Sequence, residues 1–340
     1  MEQQFFSISI RGESHIRNNK PMQDFSLAYK NENYCVGIVC DGHGADKHFR
    51  SEKGSEFAAK VTYEKFNEFV KLYPDWKSLE KVEKTVIDRL KLSILSEWHN
   101  KIEIYTKNNP FTEDDLKKAS KSFLEKKSYN IAQPYGTTLL AVLVTEEYYL
   151  ALMIGDGAMI KILPDFSANI VHFPGKKVYD DEPHSATDSM CESNAFQNMF
   201  HILNPIQEQE KGIAFAMCSD GMSEAFETDQ ILIKKINNYL NYFAEEGMEK
   251  SLSAIEQQLN QLSRVSPMKD DISLAFATNH IDFYDKRSVV QDDKTLVHNE
   301  EGSSSTEIVN NPIKVSDESH DEIEEKSQEI EIKNGEVHDE

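Results

Sequence analysis

The chain has 340 residues, 39% of them hydrophobic, enough for a buried core in one large domain or two ordinary ones. A net charge of −22 argues against binding to nucleic-acid phosphates and to anionic membranes. No apolar stretch reaches the length of a membrane span.

The N-terminal MEQQFFSISIRGESH has no basic region followed by a long apolar core, so it is not read as a signal peptide. Three short apolar runs follow one another as strand candidates: FFSISI (5–10), FSLAY (25–29) and YCVGIVC (34–40). Residues 45–72, 77–105 and 113–127 then repeat apolar positions every three or four residues and predict helices with one core-facing side. The next run, TTLLAVLVTEEYYLALMIGDGAMIKIL, holds three strand candidates (137–144, 148–154, 158–163) so close together that antiparallel hairpins and meanders are expected. Residues 164–212 are polar with scattered prolines and read as a long surface loop or flap, the kind of segment that often carries function. A strand candidate at 213–218, helical patterns at 228–244 and 247–263, and a closing strand at 272–277 complete the regular part. The layout predicts an α+β fold with two packed antiparallel sheets and helices outside.

Charge is uneven along the chain. Residues 281–340 carry 18 acidic and 6 basic side chains, a net of −12, which leaves −10 for the first 280. A segment so polar cannot bury enough surface to fold alone. Residues 1–285 are therefore expected to form the folded domain, and 286–340 an acidic, disordered tail available to a partner. Cys35, Cys40, Cys191 and Cys218 show no CxxC spacing. Cys40 and Cys218 sit in apolar runs and read as reduced core residues, which suits the cytoplasm.

Five acidic positions stand at the edges of strand candidates: Asp24 in MQDF, Asp41 in VCDGHG, Asp156 in MIGDG, Asp220 in MCSDG, and Asp270 or Asp271 in MKDDISLAF. An isolated Asp-Gly is usually a turn, and a loop histidine such as His43 is usually solvated. Gathered at strand ends, however, these carboxylates repel one another unless a cation sits among them. All-oxygen sites suit hard ions such as Mg²⁺ or Mn²⁺, and two such ions sharing a carboxylate activate water at neutral pH.

Taken in order, RGESHIRNNKPMQD, VCDGHG, YGTTLLAVLV, IGDGAMIKI, CSDGMSEAF and KDDISLAFA resemble the metal-dependent serine/threonine protein phosphatases of the protein phosphatase 2C type, and the SH…QD opening is similar to a bacterial-type branch. The resemblance spans roughly residues 6–278 and implies a sandwich of two antiparallel sheets flanked by helices. It implies hydrolysis of phosphoserine and phosphothreonine in proteins by a water or hydroxide bridging Mn²⁺ or Mg²⁺, two or three ions in all, without a phospho-enzyme. Asp41 would bridge two ions, with the Gly42 carbonyl assisting. By the same resemblance Asp220 and Asp270 would complete the first ion's shell, Asp24 would support the metal-bound waters, and Asp156 would help hold a weaker third ion with Asp220. His43 stands where the family places a general acid.

The chain departs from the family pattern at three points. Gln23 occupies the place of a common metal-binding glutamate and offers only a neutral amide oxygen. The phosphate-gripping arginine has Arg17 as its nearest candidate, with His15 or Lys20 as substitutes, and GDG lacks the usual serine. Gln23 keeps open an alternative, a weak or inactive phosphatase-like module that binds phosphopeptides; a hydrolase of small phosphate esters is a third reading.

Overall fold

The computed structural model describes residues 5–125, 130–176 and 187–278. In chain order the elements are β1 (Phe5–Ile10), α1 (Glu13–Arg17), β2 (Phe25–Lys30), β3 (Tyr34–Cys40), α2 (Ser51–Leu72), α3 (Trp76–Leu79), α4 (Glu83–Asn108), α5 (Glu113–Lys118), α6 (Lys121–Glu125), β4 (Leu139–Thr145), β5 (Tyr148–Ile154), β6 (Ala158–Ile162), β7 (Ala168–Ile170), α7 (Ala195–Asn198), β8 (Phe200–Pro205), β9 (Ala214–Cys218), α8 (Asp220–Ser223), α9 (Asp229–Glu246), α10 (Met248–Val265) and β10 (Ile272–Thr278). The acidic stretch 286–340 lies outside the described residues. Among those described, no helix is long and apolar enough to cross a membrane.

The strands form two five-stranded antiparallel sheets, in the orders β1-β10-β9-β6-β7 and β2-β3-β4-β5-β8. Strands β3, β4, β5, β9 and β10 are buried along their whole length, which explains their unbroken apolar runs. Alternation then sorts the side chains by face. Cys35, Val39, Leu140, Val142, Phe215, Met217 and Ala275 fill the space between the sheets. Val36, Ile38, Ala141 and Leu143 face α2 and α4, and Ala216, Leu274 and Phe276 face α9 and α10. The result is a helix–sheet–sheet–helix stack, the α+β sandwich expected. At Gly37 a Cβ would collide with Met217 Cε, so the glycine lets β3 accept that methionine from the opposite sheet.

Two expectations are corrected. The stretch from β4 to β6 is not one meander, because β5 and β6 belong to different sheets and the chain crosses between them at Gly155-Asp156-Gly157. Both glycines have positive φ (95° and 87°), which few other residues adopt, and a Cβ on Gly157 would lie 2.6 Å from the Cys218 carbonyl oxygen. That crowding accounts for glycine, not serine, after Asp156. The segment 164–212 is also not all loop, since it contains β7, α7 and β8. β7 and β8 are edge strands, β7 only three residues long and β8 interrupted by His201 and Asn204 and closed by Pro205. Edge strands tolerate polar residues and proline, which hides them from an apolar-run reading. All four cysteines are unpaired and buried; Cys40 precedes Asp41, and Cys218 ends β9 just before Ser219-Asp220.

Candidate active site

The site forms where β3, β9 and β10 deliver acids to one end of the sandwich. Past Cys40 the chain continues its antiparallel course beside the segment leading into β4. Thr138 N donates to Asp41 O at 2.8 Å, Asp41 N donates to Thr138 Oγ1 at 2.9 Å, and His43 N donates to Gly136 O at 3.1 Å, with a Gly42–Thr137 bridge between. The backbone from Asp41 to His43 is thus held like a strand. Gly42 is packed so tightly that a Cβ would collide with Gln23 O and lie 2.9 Å from Ser51 O.

From the other sheet, the Ser219 and Ser273 backbones and the Ser219 hydroxyl knit β9 to β10 (Ser219 N to Ser273 O 3.1 Å, Ser273 N to Ser219 Oγ 2.9 Å). This fixes Asp220 as the first residue of α8. Of the neighbouring pair, Asp271 turns inward (side chain 2% exposed) and Asp270 stays accessible (41%). Asp271 Oδ1 accepts from Gly12 N at 2.7 Å and its Oδ2 from Gln23 N at 2.6 Å, so it ties β10 to the N-terminal motif. Asp24 is buried beside them, and Asp156 Oδ2 accepts from Thr187 Oγ1 at 2.6 Å.

The acids titrate far from their usual range. Burial, reinforced by Asp271 and Asp220, pushes Asp24 well up against the pull of the Ser219 and Ser273 hydroxyls. Burial also pushes Asp41 well up, helped by Asp24, by Asp220, with which it shares a hydrogen bond, and by Asp156. Asp220 is raised by burial and by Asp156, with the Asp41 hydrogen bond opposing. Asp270 is raised by burial, opposed by the Asp271 N–H and by His15. The His43 ring, 5.0 Å from that of His48, is brought down to about 4 by burial and then by Lys47; His48 falls to about 4 by burial, against its contact with the Gln133 carbonyl oxygen.

Gln23 Oε1, Asp24 Oδ2, Asp220 Oδ1 and His43 Nε2 are all buried without a hydrogen-bond partner. Orphaned buried polar atoms are rare in folded proteins, and three of these four are oxygens of the kind that bind hard divalent cations. The residues therefore fit a divalent-metal site. Gln23 is oriented by its amide, which donates from Nε2 to Ser51 Oγ at 2.5 Å and to His43 O at 3.3 Å, leaving the oxygen free.

Arg17 is not brought to this centre. Its Nε bonds Glu13 Oε1 at 2.8 Å on the outer face of α1, and its side chain is 64% exposed. Lys20 instead reaches the Asp-Gly-His-Gly loop, donating from Nζ to Gly44 O at 2.9 Å. His15 lies buried between Asp270 and Asp271. A polar cleft of about 630 Å³ opens beside His43, lined among others by Lys47, His48, Gln133, Thr187 and Glu192. His48 and Gly136 escaped the sequence reading, although Gly136 stands in the quoted YGTT motif. A Cβ there would collide with His48 Nδ1 and lie 2.8 Å from His43 Cδ2.

The family model for protein phosphatase 2C matches residues 11–255. No curated protein sequence matches the chain. Among solved structures, a C. elegans sex-determining protein aligns with a TM-score of 0.52 at 14% identity, over 84% of this chain and 67% of that one. A bacterial serine phosphatase aligns with a TM-score of 0.50 at 14% identity, over 82% of this chain and 98% of its own. At such identity these two show the shared fold. The family match covers most of the folded region and every motif from the N-terminal acid to Asp220, and the chain belongs to the protein phosphatase 2C family.

Proposed function

We propose that the chain is a metal-dependent phosphatase of phosphoserine and phosphothreonine in proteins, working by direct attack of water on phosphorus. The observation that carries this reading is the set of buried, unpartnered donors of Gln23, Asp24 and Asp220 beside Asp41, with His43 at the rim of an open polar cleft. Asp41, Asp220, Asp24, Asp156, Asp270 and the Gly42 carbonyl are the groups that would hold two or three Mn²⁺ or Mg²⁺ ions. Bound there, such ions supply an activated water at neutral pH and offset the charge of the transferring phosphoryl group.

The chain's own groups have separable tasks. The Thr137–Thr138 segment and Ser219–Ser273 hold the acids rigidly, so little reorganisation accompanies the reaction. His43 is neutral at neutral pH in the free protein, and a phosphoryl dianion entering the cleft favours its charged form. Its proton is then available to the leaving seryl or threonyl oxygen. Lys20 and Lys47 border the loop and the cleft and take the phosphate-attracting role in place of Arg17. A cysteine phospho-enzyme is disfavoured, because burial pushes the Cys40 thiol well up and that of Cys218 up to about 12. We place the catalytic unit within 1–285 and partner binding in the acidic stretch 286–340; four unpaired thiols suit a reducing cytoplasm.

The test is phosphate release from phosphoserine and phosphothreonine peptides and from p-nitrophenyl phosphate by metal-stripped protein titrated with Mn²⁺ or Mg²⁺. Turnover is expected only with metal, and D41N and D220N are expected to lose on the order of 100-fold or more. Gln23→Glu is expected to lower the Mn²⁺ concentration needed. Phosphopeptide binding without turnover at saturating Mn²⁺ would instead establish the regulatory reading, for which the neutral Gln23 is the favouring observation.

A further inference from the structure

His15 occupies a place that neither the cleft nor the acid cluster explains. It is buried in α1, with Nδ1 3.0 Å from Asp271 Oδ2 and Nε2 3.1 Å from Asp270 Oδ1. Its one ligand atom and those of the two acids lie within 4.8 Å of one another, which by distance alone would admit an ion. Yet both ring nitrogens face carboxylate oxygens, and a ligand histidine must keep one nitrogen free for its metal. Nδ1 meets Asp271 Oδ2 at ion-pair distance but outside hydrogen-bond geometry, so the arrangement is an electrostatic bridge between the two acids.

The two ends of the bridge differ. Asp271 is anchored by the backbone N–H groups of Gly12 and Gln23 as well as by His15. Among the described residues, Asp270 accepts only the Asp271 N–H at 2.9 Å besides its contact with His15, and its side chain is 41% exposed. The backbone just before it is unusual, since Lys269 has φ 54°, a left-handed conformation that non-glycine residues rarely adopt. That turn is pinned from α1, where Ser14 N donates to Lys269 O at 2.9 Å. Gly12 permits the approach, because a Cβ there would collide with the Asp270 backbone. Strained backbone of this kind persists where surrounding contacts over-determine it.

We propose that His15 is a positioning residue that transmits the fixed orientation of Asp271 to the Asp270 carboxylate, and so sets the affinity of the site for a divalent metal. The inference rests on the phosphatase reading above, with Asp270 as a metal ligand. His15 touches neither substrate nor the reacting atoms; it acts through Asp270, as partners of ligating groups do elsewhere.

The experiment measures Mn²⁺ binding to metal-stripped protein by isothermal titration calorimetry, for the wild type, H15Q, H15A, D270N and H15A/D270N, with melting temperatures alongside. H15Q can reach only one of the two carboxylates, so its Mn²⁺ Kd is expected to rise about tenfold, within the range typical of lost outer-shell partners. In the double variant the His15 loss is expected to vanish, because its route through Asp270 is already cut. At saturating Mn²⁺, kcat of H15Q is expected to return to within a few-fold of wild type. Lowered melting temperatures with unchanged Mn²⁺ affinity would make His15 mere scaffolding and overturn the inference, as would additive losses in the double variant. Wild-type protein that takes up no Mn²⁺ would sink the metal reading itself, a result distinct from either. If H15A does not fold, H15Q and H15Q/D270N close the same cycle.

Discussion

Asp41 and Asp220 illustrate what a buried acid cluster demands of single residues. Both carboxyl groups titrate above the usual range in the metal-free protein, with burial the first cause in each. Asp220→Asn removes one charge from the cluster and can donate an amide N–H to Asp41. The metal-free variant is therefore expected to be more stable than wild type, by about 1 kcal/mol or more, while its activity collapses. Calorimetric melting of stripped protein checks this, and a lower melting temperature for the variant would show that the acids do not strain the fold. The acids could be picked out in the sequence because each stands at the edge of a strand candidate and three precede a glycine. Sequence spacing does not say which side of α1 faces inward; the structure leaves Arg17 exposed and paired with Glu13, four residues earlier. The His15–Asp271 contact was invisible for another reason, since only the fold brings two ends of the described chain together.

At the level of elements, the antiparallel course that runs past β3 and β4 is what aims the Asp41–His43 loop. Asp41 to His43 stay in register with Gly136 to Thr138 after the strands end, and Gly136 leaves room for the paired rings of His43 and His48. Gly136→Ala forces those buried rings to move. It is expected to cut kcat at least tenfold while Mn²⁺ affinity stays within a few-fold, since the atoms nearest the intruding methyl group belong to His48 and His43. Loss of metal binding in this variant would place Gly136 in the support of the acids instead. The buried strands and the long amphipathic helices were readable because burial on two faces, or on one stripe, writes a strong apolar pattern. β7 and β8 were not, because an edge strand with one free side needs no such pattern. The crossing at Gly155–Gly157 looked like a hairpin in sequence, and only the two positive φ values mark it as a passage between sheets.

For the whole molecule, two sets of shifted groups make stability depend on pH in opposite directions. His43 and His48 sit at about 4, so between pH 6.5 and 4 the unfolded chain binds protons that the folded one refuses. Their contribution is complete above about pH 6.5 and is lost as pH falls, up to about 3 kcal/mol each. Asp24, Asp41, Asp220 and Asp270 are raised, so the folded metal-free chain holds protons that the unfolded chain has already released. That contribution is present at low pH and is lost as pH rises through the folded values. A divalent ion replaces those protons and binds better as they leave. The rise in melting temperature produced by Mn²⁺ is accordingly expected to be larger at pH 8 than at pH 6, as differential scanning calorimetry would show. An increment independent of pH would mean that the acids are already ionised without metal.

The buried thiols described with the fold turn the scaffold into its own clock. Cys40 adjoins Asp41 on β3, and Cys218 closes β9 just before Ser219-Asp220, each sealed from solvent and held protonated. An alkylating reagent can reach either sulfur only when its strand detaches, so labelling kinetics report how often each half of the sandwich opens. An ion bound across the acids would slow both events together, coupling the breathing of two sheets that, among the described residues, share no hydrogen-bonded strand pair.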